Sequence, residues 1–182
     1  MTVAETVDLT AAKWYCVIPL WYLRMEYGAD SRTASAWLRE RGGAPALPGA
    51  RGVYRWTDND HDMELTTAVM ALAIAAPRAY LASVTALELM NLGDVGSESV
   101  FVAVRNARRR RRYPGIVWIA PAPGDAVVEI AGLPCQDAPS AIRSAPPVIE
   151  DKMPTVLWDL RHSGLVSPEQ CECLTREFGC SS

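Results

Sequence analysis

The sequence predicts an α+β protein of two domains, the first at residues 1–60 and the second at 61–182. Three observations lead there. Helical apolar spacing with recognisable caps fills the chain from Thr10 to Arg41. Short apolar and basic residues then alternate around a Pro-Gly turn in APALPGARGVYRW. After the acidic stretch TDNDHDME at 57–64, helical segments flank several β-rich runs, which suggests a small sheet.

The first domain reads helix, helix, helix, ribbon. Residues from about Thr10 to Val17 are apolar at helical spacing. Pro19 opens a second helix, where a missing N–H costs nothing, and Gly28 closes it. A third helix starts at an Asp30 or Ser31 cap and stops at Gly42 and Gly43. Ala34, Trp37, Leu38 and the stem of Arg41 share one face of it, while Arg32, Ser35, Ala36 and Arg39 share the other. Two helices joined by a short turn, the second exposing Arg and Ser and followed by a basic ribbon, describe a winged helix-turn-helix. On that reading Arg32, Ser35 and Arg39 face bases and phosphate, and Arg51 and Arg55 flank the ribbon tip against backbone or minor groove. The plainer alternative is a small helical bundle with a basic surface.

In the second domain MELTTAVMALAIAAP is a helix ending at Pro77, and YLASVTALELMNLG is helical from about Ser83, with Leu87 and Leu92 buried. SVFVAVRN and GIVWIAPAP read as two strands joined in a hairpin, and AVVEIAGLPCQ as a third strand. TVLWDLRHSG and SPEQCECLTREFG read as terminal helices, the latter capped by Ser167.

Charge is distributed unevenly. The formal net charge is −3, but residues 13–56 hold seven bases against three acids, and 105–118 hold six arginines and no acid. Of the eighteen bases sixteen are Arg, the residue suited to bidentate contacts with phosphate and guanine. Arg105 and the unbroken run Arg108 to Arg112 sit at the predicted hairpin tip. Adjacent arginines on a fixed backbone repel one another unless an anion lies among them. Nucleic-acid phosphate, plain solvation and an acidic protein partner are the three readings open to this run.

These stretches resemble the AbiEi-type antitoxins and regulators of type IV toxin–antitoxin systems. ADSRTASAWLRERGG with GARGVYRW is similar to their N-terminal winged helix, YLASVTALELMNLG to their Ser-x-x-Ala-Leu helix, and KMPTVLWDLRHSG to their Thr-Leu-x-Asp-Leu segment. VVEIAGLPCQDAP resembles the strand-turn before their last helices. The resemblance implies a repressor that binds inverted repeats in its own promoter as double-stranded DNA. It also implies an antitoxin that antagonises a nucleotidyltransferase toxin without forming a stable complex. Arg32, Ser35 and Arg39 inherit the recognition role and Arg51 and Arg55 the wing role; the arginine run has no counterpart motif.

Other classes are less well supported. Glu129 with IEDK at 149–152 faintly echoes a metal-dependent nuclease, but the spacing is poor and prolines surround it. There is no nucleophile elbow, Walker loop or dinucleotide fingerprint, and His61 and His162 are the only imidazoles. Five cysteines without regular spacing point to free thiols rather than to a disulfide framework or zinc site. The expectation is therefore a non-enzymatic protein without cofactor or metal. With no signal-peptide pattern and no apolar run long enough to span a bilayer, a cytoplasmic protein away from membranes is expected. A protein-interaction module that lacks specific DNA binding is the competing functional class.

Overall fold

Thr2 opens the first helix with a capping box: its hydroxyl accepts from the Glu5 N–H while the Glu5 carboxylate accepts from the Thr2 N–H at 2.7 Å. In the computed structural model that follows from it, residues 1–56, 63–75, 77–145 and 149–178 are described. The boundary predicted at residue 60 lies outside them, as do His61, Pro146, Pro147 and Cys180. The chain is mixed α+β and divides into two units, Met1–Arg78 and Ala79–Ser182.

The first unit runs α1 (Val3–Lys13), β1 (Val17–Pro19), α2 (Leu20–Tyr27), α3 (Ser31–Glu40), β2 (Ala44–Pro45), β3 (Val53–Arg55) and α4 (Met63–Ala75). The helix predicted over Thr10–Val17 thus ends at Lys13; Trp14, Tyr15 and Cys16 form a turn, and Val17 starts a strand. Tyr15 and Cys16 take φ of 48° and 61°, a left-handed step that no helix continues through. β1 and β2 both pair antiparallel with β3, giving the order β1-β3-β2. Asp30 caps α3 by accepting from the Thr33 N–H at 2.7 Å, and Gly28 ends α2 in the left-handed region at φ 64°. Ile18, Leu23, Ala34 and Leu38 fill the core behind α3, with Val7 and Ala11 from α1.

α4 belongs to this unit rather than to the second, which moves the division from the predicted residue 60 to Arg78/Ala79. The reason is packing. α4 lies against β1 and β3, and the Trp21 indole N–H donates to the Ala73 carbonyl at 2.8 Å. Val69, Ala71, Leu72 and Ala73 are all essentially inaccessible to solvent.

The second unit runs β4 (Tyr80–Leu81), α5 (Ser83–Leu89), β5 (Val100–Ala103), a 3₁₀ turn (Ala107–Arg109), β6 (Ile116–Ile119), β7 (Val127–Ile130), β8 (Leu133–Gln136) and α6 (Ala138–Ser144). A 3₁₀ turn (Glu150–Lys152), α7 (Met153–Ser163) and α8 (Pro168–Glu177) follow. Its five-stranded sheet has the order β6-β5-β4-β8-β7. The single strand predicted over AVVEIAGLPCQ is the β7–β8 hairpin, reversed at Ala131 and Gly132, whose φ values of 50° and 76° suit a two-residue turn. β5 and β6 are parallel, not the hairpin predicted, so the arginine run is a twelve-residue crossover from Val104 to Gly115. Leu87 and Leu92 are buried as expected, whereas Trp158, in the predicted terminal helix TVLWDLRHSG, is 62% exposed.

Gln136 is fully buried, and its carbonyl accepts from the Ser83 N–H at 2.8 Å and the Ser144 hydroxyl at 3.0 Å. Among the described residues no helix is long and apolar enough to cross a membrane.

Candidate functional site

The outer face of α3 and the loop between β2 and β3 enclose an open groove of about 720 Å³. Arg32 and Arg39 enter it from the helix and Arg51 from the loop. Seven residues of α-helix put Arg32 and Arg39 about 10 Å apart along the axis. All three arginines are exposed, and among the described residues none has a carboxylate within ion-pair distance. Arg32 also feels the nearby Asp30 carboxylate, whose pKa the Thr33 hydrogen bonds and then the Arg32 charge lower, and the three guanidiniums concentrate positive potential in the groove.

Ser35 differs from the sequence expectation. It lies on the Arg32–Arg39 face of α3, yet its side chain is buried, because Tyr54 from β3 closes over it. The Ser35 and Tyr54 hydroxyls stand 2.6 Å apart. Arg39 completes a ring, donating from Nη2 to Ser35 Oγ at 2.9 Å and from Nε to Tyr54 Oη at 3.3 Å. Burial alone raises the Tyr54 phenol, but the hydrogen bonds with Ser35 and Arg39 and the Arg39 charge outweigh it and hold the phenol below its ordinary value. Sequence reasoning misses Tyr54. The one signal for it is strand alternation, which sets it on the opposite face from Val53 and Arg55.

Arg55 also departs from expectation. It pairs with Ala44 on one side and Val17 on the other, so it stands at the base of the ribbon and not at its tip, which leaves Arg51 alone there. On the far face of α3, Trp37 stacks on Trp56 at 5.5 Å, and Arg41 lies over the Trp37 ring at 4.4 Å.

A second basic site lies in the second unit. The β5–β6 crossover turns through Asn106 at φ 60° into its 3₁₀ turn. The Trp118 indole N–H then donates to the Arg111 carbonyl at 2.8 Å, and Tyr113 meets Trp118 edge-on at 6.4 Å. The Arg111 guanidinium lies 5.6 Å from the Tyr113 ring centre. The backbone of the run is therefore fixed while Arg105, Arg108, Arg109, Arg111 and Arg112 are exposed and Arg110 is half-buried. Arg105, Arg108, Arg109 and Arg112 have no carboxylate within ion-pair distance among the described residues.

The residues weighed for metal chemistry are scattered. Glu129 is exposed on the edge strand β7. Glu150 and Asp151 lie in the turn before α7, and Lys152 donates to the carbonyls of Asp94 and Val95 at 2.7 and 3.1 Å. Cys171 is buried and Cys173 exposed on α8, while burial pushes the Cys135 thiol up to about 12. Among the described residues no three His, Cys, Asp or Glu side chains gather where they could hold a metal ion. No family model and no curated protein matches this chain.

Proposed function

We propose that this protein is a sequence-specific DNA-binding autorepressor, working in the cytoplasm as the antitoxin of a type IV toxin–antitoxin pair of the AbiEi kind. The observation that carries the reading is the α3 groove, in which Arg32 and Arg39 of one helix and Arg51 of the adjoining loop line a single cleft. The order α-β-α-α-β-β with strands β1-β3-β2 supports a winged helix-turn-helix, with α3 as recognition helix and the β2–β3 loop as wing. α3 has ten residues, about 15 Å of helix, a length that lies readily in a major groove about 12 Å wide. The arginine crossover adds a sequence-blind phosphate contact. The protein acts by binding and not by catalysis, and it antagonises a nucleotidyltransferase toxin without holding it in a stable complex.

A reporter fused to the DNA upstream of the protein's own gene tests this. Supplying the protein lowers expression, and Arg39→Ala restores it. Expression that is indifferent to the protein contradicts the proposal.

A further inference from the structure

The ring formed by Arg39, Ser35 and Tyr54 has a consequence for what Arg39 can contact. A guanidinium carries five coplanar N–H groups. The Nε–Nη2 edge of Arg39 is committed, one N–H to Tyr54 Oη at 3.3 Å and one to Ser35 Oγ at 2.9 Å. Three N–H groups remain: the end-on pair, one on each Nη, in the plane that the two hydroxyls set, and the second Nη1 N–H, which points back toward Cδ. Ser35 sits on α3 and Tyr54 on β3, both are buried, and their hydroxyls are 2.6 Å apart. The clamp therefore belongs to two packed elements, and the arginine is oriented before any ligand arrives.

We infer that Ser35 and Tyr54 are positioning residues that lock Arg39 so that its end-on N–H pair reads O6 and N7 of a guanine in the major groove. This deepens the proposed function and rests on it. A phosphate contact tolerates a loosely held cation, and lysine serves it as well; a coplanar bidentate contact with a base edge does not. Arg32 and Arg51, in the same groove, have no comparable hydrogen bond among the described residues and suit the phosphate backbone. Ser35 thus contributes to specificity without touching DNA, which reconciles its place on the recognition face with its burial.

The test is selection from a pool of randomised duplexes with the wild-type protein, Ser35→Ala, Tyr54→Phe and Arg39→Lys. Affinities are then measured in a salt series, on the wild-type-selected duplex and on versions with each G·C pair replaced. The wild type enriches a guanine whose replacement weakens binding about ten- to a hundredfold, the range of one bidentate pair. Ser35→Ala and Tyr54→Phe shrink that penalty at this one position and leave the salt slope unchanged. Arg39→Lys removes the penalty while keeping the charge, and its melting temperature, measured beside the wild type, reports any loss of fold. A merely structural role for Ser35 and Tyr54 would lower the melting temperature and weaken binding at all positions alike. If the hydroxyl variants keep the full penalty, the clamp is irrelevant to readout and the inference fails while specific DNA binding stands. If Arg39→Lys keeps the base preference, Arg39 sits on phosphate and the inference fails. If the wild type enriches no sequence, the DNA-reading function fails, and the inference with it.

Discussion

The Gly93 N–H donates to the Asp159 carboxylate at 2.7 Å, joining the turn after α5 to the middle of α7. Gly93 is buried with φ at 78°, and a Cβ there would collide with Val156 Cγ2 and lie 3.2 Å from its Cα. Two motifs far apart in the chain, the end of LELMNLG and the centre of TVLWDL, thus meet at one hydrogen bond.

Gly93→Ala adds a methyl with no room and forces a left-handed backbone, so it should destabilise the protein by about 2–4 kcal/mol. Asp159→Ala leaves the Gly93 N–H without its acceptor and should cost about 1–2 kcal/mol. Urea denaturation followed by circular dichroism checks both. A Gly93→Ala protein as stable as wild type would show that α7 does not press on this turn as described.

The two basic sites should separate by their response to salt. Replacing Arg108 to Arg112 with Ala weakens binding to every duplex, and the slope of log affinity against log salt falls by about 0.9 for each phosphate that is no longer neutralised. Arg39→Ala instead relaxes the preference for the cognate duplex. The Trp118 bond to the Arg111 carbonyl involves only backbone at that position, so the polyalanine variant retains that acceptor while losing the Arg111 contact with the Tyr113 ring. Unchanged affinity and slope in that variant would return the run to the solvated-loop reading.

Tyr54 and Tyr80 should titrate in opposite directions from the ordinary phenol value of 10.0. Tyr54 is held low by Ser35 and Arg39 against its burial, whereas Tyr80 is raised by burial and by donating to Asp125 at 2.5 Å. A lowered phenol favours the fold once ionised. Tyr54 therefore adds stability as pH climbs through the window just below 10, and that contribution is lost again as pH falls. A raised phenol does the reverse, so the Tyr80 contribution is present below 10 and disappears above it. Ultraviolet titration of phenolate should show an early phase that Tyr54→Phe removes. If the variant keeps the early phase, the Arg39 ring does not polarise Tyr54.

Much of the fold is legible in the sequence where a single residue type dictates a local conformation. The Asp30 cap, the Gly28 stop and the Ser167 cap of α8 each follow from one side chain satisfying, or one glycine ending, a helix terminus. What is not legible depends on partners distant in the chain. Helical spacing runs on through Val17; only the left-handed step at Tyr15 and Cys16 and pairing with β3 make Val17 the start of a strand. Periodicity places Ser35 on the correct face of α3, but its burial comes from Tyr54, nineteen residues on. Composition cannot distinguish parallel from antiparallel neighbours, so the β5–β6 crossover reads as a hairpin. The basic groove is foreseeable as a set of arginines, though Arg55 stands at the ribbon base.

The most direct test is fluorescence anisotropy of the protein against labelled DNA from upstream of its own gene, beside a scrambled duplex, at several salt concentrations. Sequence-specific regulation predicts binding to the upstream DNA at least about a hundredfold tighter than to the scrambled duplex, with affinity falling steeply as salt rises. Equal affinity for the two duplexes, or no binding to either, contradicts it.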